Sequence, residues 1–266
     1  MRRAAAGCLL LALAVAGCGS TSHRALDAPG RKLPSLSSRC GGQGHVSATV
    51  GWFRASDGVL LDGAALGSGK TGVVLAHESP ADLCGWVPFG QKLSRAGFRV
   101  LLFDHRHFGF SASPTDPSKA GHFTPDLEGA VTELEREGAD KVFLMGASFG
   151  GVTSMVAGSR LGSKIAGVVS ASGEASLPNR FGESQAELDA LAAVPKLRAP
   201  FLIVGSREDG YLPPSDAKEL IQQAGSAHKR LVLFPGDFHG WDLFSLSPDH
   251  ARATAVVIDF LRTYGS

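Results

Sequence analysis

Gly146-Ala147-Ser148-Phe149-Gly150-Gly151 follows the apolar run Val142 to Met145 and opens a small-residue helical stretch that runs to Leu161. A serine on a sharp strand-to-helix turn has its hydroxyl forced out over the edge of the sheet, and glycine two residues before and after it leaves room for so tight a bend. The spacing alone is weak evidence. With 34 glycines in 266 residues, about 0.4 chance matches to Gly-x-Ser-x-Gly are expected. The context carries the weight: an aspartate and a histidine follow in order, each just past the end of its own predicted strand.

Working outward, Val46 to Arg54 and Val59 to Leu66 flank Ser56-Asp57-Gly58, a turn sequence, so the domain opens with a hairpin. The rhythm then changes. Short apolar runs bounded by Gly or Pro (Val73 to Ala76, Val100 to Phe103, Val142 to Met145, Ile165 to Val169, Phe201 to Val204, Leu231 to Phe234) alternate with segments of helical period. The helices predicted are Trp86 to Ala96, Pro125 to Glu137, Phe149 to Leu161, Glu183 to Ala193, Ser215 to Ala224 and Asp249 to Tyr264. Continuous apolar strands separated by helices imply a mostly parallel α/β sheet covered on both faces. No internal repeat is visible.

Eight strands, the first two a hairpin, with a serine turn after the fifth, resemble the α/β-hydrolase fold from Val46 to Tyr264. The small esterase-like and dienelactone-hydrolase-like members are the nearest in character. The resemblance implies a nucleophile, an acid and a histidine in that order, here Ser148, Asp209 and His239. Asp209 hangs past the seventh strand, and Gly210-Tyr211-Leu212-Pro213 resembles the turn after the family's acid; Glu208 is the neighbouring rival. His239 lies in Pro235-Gly236-Asp237-Phe238-His239-Gly240, after the eighth strand, where its ring can take the serine's proton.

Attack on a carbonyl needs two oxyanion donors. The family pattern assigns one to the N–H of Phe149. It assigns the other to Ser79, in a loop His77-Glu78-Ser79-Pro80 that resembles His-Gly-x-Pro. Glu78 stands where glycine is usual, and the expectation is that its carboxylate points outward, since an inward one would oppose the developing negative charge. Asp104-His105-Arg106-His107-Phe108-Gly109-Phe110-Ser111 resembles the family's Asp-x-Arg-Gly-x-Gly-x-Ser and is read as wall of the cleft; neighbouring loop positions rarely converge on one ion, so no metal is expected. Between the sixth and seventh strands only Ser170 to Pro200 is available for a cap. An open, shallow cleft for small to medium esters follows, walled by Trp86, Phe149, Phe181, Tyr211 and Trp241. No cofactor is implied. Peptidase and thioesterase chemistry runs on the same three residues, and a catalytically idle binding module on this scaffold is the alternative from another class.

Met1-Arg2-Arg3, the apolar stretch Ala4 to Ala16 and the small residues after it have the layout of a secretory signal peptide, residues 1–17. Val15-Ala16-Gly17-Cys18 resembles a bacterial lipoprotein box, which implies cleavage before Cys18, lipidation there and a domain anchored at the outer face of a membrane. Ala14-Val15-Ala16 also fits ordinary signal peptidase, which would release a soluble protein. Residues 18–44 read as a tether, and 45–266 as a single domain. In an exported domain the pair Cys40 and Cys84 is read as a disulfide. A charge balance of 26 basic to 25 acidic residues argues against a nucleic-acid partner and leaves the oligomeric state open.

Overall fold

The apolar runs become strands because each residue along them has a core to face on one side of the sheet or the other. In the computed structural model, which describes residues 32–41, 46–178 and 187–266, the strands are β1 (Thr49–Arg54), β2 (Leu60–Leu66), β3 (Thr71–Ala76), β4 (Arg99–Phe103), β5 (Lys141–Ala147), β6 (Gly167–Ala171), β7 (Phe201–Ser206) and β8 (Lys229–Phe234). They form one sheet in the order β1-β2-β4-β3-β5-β6-β7-β8. The pairings β1–β2 and β2–β4 are antiparallel and all the others parallel.

Among the described residues the helices are α1 (Leu36–Arg39), α2 (Val87–Arg95), α3 (Pro117–Ala120), α4 (Thr124–Arg136), α5 (Phe149–Leu161), α6 (Ala190–Ala193), α7 (Pro214–Gln223), α8 (Asp242–Ser245) and α9 (His250–Gly265). Alternate residues of one strand serve opposite cores, as the two-residue period of a strand requires. Val74 joins Leu127 and Leu134 of α4, Val152 of α5 and Leu220 of α7. Val73 and Leu75 join Leu93 of α2 and Val257 and Leu261 of α9 on the other face. Burial on both faces explains why the parallel strands read as unbroken apolar runs. The parallel strands all point the same way, so Ser148, Asp209 and His239 emerge along one edge, beyond the carboxyl ends of β5, β7 and β8.

Two boundaries differ from expectation. The tether expected over residues 18–44 has its end docked on the domain: the Ser35 side chain caps α1 by accepting the Ser38 N–H, Leu36 is buried, and Arg39 makes a buried ion pair with Asp62 of β2. Burial of Leu36 and Cys40 in the core shared with α2 and α9, together with the bond Cys40 makes, offsets the chain entropy that a polar tether would keep. Of the predicted helix Glu183 to Ala193, α6 is the described part; residues 183–186 lie outside the described residues, as do the predicted signal segment 1–17 and Cys18. No helix among the described residues is long and apolar enough to cross a membrane.

Cys40 and Cys84 form a disulfide across a sequence separation of 44 residues. It fastens the docked segment to the turn Leu83–Trp86, just after the loop that follows β3. Closing a loop of that length is worth about 4 kcal/mol in the chain-entropy description. Cys40→Ala/Cys84→Ala should therefore lower the urea midpoint by an amount equivalent to about 2–4 kcal/mol. An unchanged midpoint would show that the docked segment holds without the bond.

Candidate active site

β5 ends at Ala147 and α5 begins at Phe149, leaving Ser148 as the whole connection. Its φ of 48° and ψ of −118° lie where a residue with a Cβ is strained, a cost on the order of 1–3 kcal/mol. Backbone bonds hold it there: Ser148 N–H donates to Ala171 O at 2.9 Å, and Val152 N–H donates to Ser148 O at 3.0 Å. The flanking glycines are required by space. A Cβ at Gly146 would overlap the Gly150 carbonyl, and one at Gly150 would overlap the Ala76 carbonyl at the end of β3. Phe149 N–H opens α5, where an amide has no partner within the helix.

His239 stands in the loop after β8 with a side chain 21% exposed. Its Nδ1 lies 3.0 Å from both carboxylate oxygens of Asp209. Asp209 is buried and accepts the Tyr211 N–H at 2.9 Å. Burial alone would raise the Asp209 carboxyl, but the bonds from His239 and the Tyr211 N–H hold it below the usual range. Burial would likewise lower His239, and the Asp209 bond and charge outweigh it, so His239 binds its proton more tightly than a free imidazole. A carboxylate on Nδ1 assigns the N–H to that nitrogen and leaves Nε2 as the proton acceptor. The rival acid is turned away: Glu208 accepts the Gly236 N–H at 2.6 Å.

Ser148, Phe149, Ser79, His239 and Tyr211 line one cavity of about 540 Å³, of the size that holds a small molecule. Leu177 and Leu188, from the short β6–β7 connection, form its apolar side. The loop carrying Ser79 is fixed from behind by His77, which is fully buried. Its ring Nδ1 is 2.8 Å from Glu78 O and its Nε2 accepts the His105 N–H at 3.0 Å. Burial and the neighbouring His105 lower His77 to about 4, so at neutral pH it stays uncharged and can keep both bonds.

Glu78 does not point outward. Its carboxyl reaches inward toward the histidine loop, so that a Cβ at Gly240 (φ 54°) would overlap Glu78 Oε2. Burial raises it to about 7, against the pull of His239. Trp86 is not in the cleft wall: it is fully buried, and its indole N–H donates to Ala76 O at 2.8 Å beneath the sheet's edge. Trp241 packs against it edge to face at 5.9 Å rather than lining the cavity. An indole with a backbone partner gains more inside than on an open rim. Phe181 lies outside the described residues.

Asp104, His105 and His107 also serve the scaffold rather than the cleft. Asp104 accepts the N–H groups of Leu83 and Phe110, His105 is fully buried among the rings of Phe103, Phe123 and Phe149, and the His107 ring reaches Ser113 Oγ and Ala120 O. Among the described residues no group of His, Cys, Asp and Glu is arranged to hold a metal ion. The sequence reading missed Glu174, which lines the cavity. Burial raises its carboxyl, and the Ser148 hydroxyl is close enough to favour the charged form. It sits in an irregular loop after β6 with no motif around it; only its place at a strand's carboxyl end could have marked it.

Comparison with known proteins bears on the fold. The family model described as alpha/beta hydrolase fold matches residues 72–198. Epoxide hydrolase 3 of Siraitia grosvenorii is 34% identical over 99 residues, 36% of this chain, and the match spans 30% of that protein's length. Among solved structures, an esterase from Pyrococcus furiosus superposes with a TM-score of 0.68 at 18% identity, covering 83% of this chain and 93% of that one. The enol-lactonase from Burkholderia xenovorans LB400 superposes with a TM-score of 0.62 at 21% identity, covering 79% and 99%. The architecture is thus the α/β-hydrolase fold, with an eight-stranded, mostly parallel sheet and helices on both faces.

Proposed function

We propose that the chain is a serine hydrolase of small to medium carboxylic esters, with Ser148 as nucleophile, His239 as general base and Asp209 as its orienting acid. The observation that carries this reading is the His239–Asp209 pair over the same cavity as a serine held at φ 48°. In this reading Ser148 Oγ attacks the carbonyl carbon while its proton passes to His239 Nε2. The oxyanion is received by Phe149 N–H and Ser79 N–H, the imidazolium protonates the leaving alkoxide, and water activated by His239 releases the acid.

The nucleophile itself selects among the activities named by the relatives. A serine alkoxide that opened an epoxide would become a hydroxyalkyl ether, which offers water no carbonyl to attack and would trap the enzyme. An acyl ester has that carbonyl and turns over. The purified protein should therefore hydrolyse p-nitrophenyl acetate and butyrate and be titrated by a fluorophosphonate, while an aryl epoxide is left intact. Turnover of the epoxide without turnover of the esters would reverse the assignment. No ester turnover and no labelling would favour an idle binding module.

The same proposal places the protein outside the cytoplasm, lipidated at Cys18. Support comes from the Met1 to Cys18 sequence and from the Cys40–Cys84 disulfide, a bond suited to an oxidising compartment. The mature N-terminal peptide should carry lipid on Cys18; an unmodified N-terminus at Gly17 would indicate release instead.

A further inference from the structure

Glu78 reaches from the oxyanion loop to the histidine loop and also lines the cavity. Its Oε2 is buried without a hydrogen-bond donor. A Cβ on Gly240, the residue after His239, would overlap that oxygen and lie 3.4 Å from the Cβ of Ala147, the residue before Ser148. The carboxyl thus lies against the chain that carries the base, at a point where that chain passes close to the residue before the nucleophile. Gly240 is glycine for two reasons: its φ of 54°, and the lack of room for a side chain beside Glu78.

We infer that Glu78 is a positioning residue for His239, a second carboxylate that seats the histidine loop and stabilises the imidazolium formed when Nε2 takes the Ser148 proton. The inference rests on the proposed hydrolase reading. Asp209 already occupies the Nδ1 side, so Glu78 acts on the ring through space and through Gly240 and Trp241. The charged and polar groups facing it are His239, which attracts it, Asp242 and Glu174, which repel it, and the Trp241 N–H, which favours its charged form. Among these His239 has the largest influence after burial, and the effect is mutual: the charge of Glu78 raises His239, after the larger effects of Asp209 and Glu174. A carboxylate here could oppose the oxyanion or support the imidazolium. Glu78 lines the cavity next to Ser79, but its carboxyl lies against Gly240 and its strongest charge partner is His239, which favours the second.

The sign of the effect on activity follows. The acid limb of kcat/KM reports loss of the His239 proton in the free enzyme. Removing the Glu78 charge removes an attraction for that proton, so the limb should move to lower pH. It also removes support for the imidazolium in the transition state, so the plateau kcat should fall. For Glu78→Gln, isosteric and uncharged, we expect the limb to move down by about half a unit to one unit, kcat above pH 8 to fall about threefold to tenfold, and KM to change little. Glu78→Asp should recover part of both effects. A limb that does not move, or a Glu78→Gly enzyme faster than the parent at every pH, would overturn the inference; the second result would place the carboxylate against the oxyanion.

NMR titration of the His239 ring separates this inference from the hydrolase reading. The ring should lose its proton at lower pH in Glu78→Gln than in the parent even in a protein that hydrolyses no ester. Equal midpoints, with fluorophosphonate labelling of Ser148 intact, would leave the hydrolase and remove the role given to Glu78.

Discussion

Ser148→Ala is expected to lower ester turnover by about 10⁴-fold or more, with the circular-dichroism spectrum unchanged and fluorophosphonate labelling abolished. The size follows from what remains. Phe149 N–H, Ser79 and the cavity can still bind the ester, but no acyl-enzyme forms, and residual catalysis is limited to polarising the carbonyl for water. The fold should survive because the backbone at residue 148 is set by bonds to Ala171 and Val152, none of which involves Oγ. Retained turnover in a preparation purified away from host esterases would sink the assignment of the nucleophile. A variant that loses turnover but still labels would place the reactive group elsewhere in the cavity.

The contrast between what was legible in the sequence and what was not has a physical basis. The parallel strands could be read because burial on both faces leaves no polar position to break the run, as in Phe201 to Val204. α5 runs from Phe149 to Leu161 as expected, since the glycine-flanked turn marks its start. Asp209 and His239 could be placed at the sheet's carboxyl edge because they sit directly past strands that were themselves legible. Glu78 and Trp86 were misplaced for the opposite reason: their orientation depends on partners in other elements, which periodicity does not reveal. Glu78 turns inward because Gly240 leaves it room, and Trp86 turns inward because Ala76 O offers its indole an acceptor. Leu36 and Arg39, in a serine-rich run with no periodicity, gave no sign of docking, since the evidence for it is Asp62, which reads as an ordinary strand residue until Arg39 reaches it.

Those local rules bear directly on the adjacent acids Glu208 and Asp209, which sequence alone left in competition. Asp209→Asn should cost about 10⁴-fold in kcat, whereas Glu208→Gln should cost little. Asp209 meets His239 Nδ1 at 3.0 Å through each oxygen and is buried. An asparagine there can present its amide N–H₂ to the ring, which favours the tautomer with the proton on Nε2, the atom that must accept the serine's proton. The charge that steadies the imidazolium is lost as well. Glu208 spends its carboxylate on Gly236 N–H, so Glu208→Gln keeps an acceptor for that bond and leaves His239 untouched. The pH profile supplies a second reading of the same pair. Asp209 holds His239 above its ordinary value, so whatever activity survives in Asp209→Asn should show its acid limb at lower pH than the parent, while Glu208→Gln should retain the parent's limb. Comparable losses in both variants, or a larger one in Glu208→Gln, would move the role of the acid to Glu208 and require a histidine loop arranged differently from the one described here.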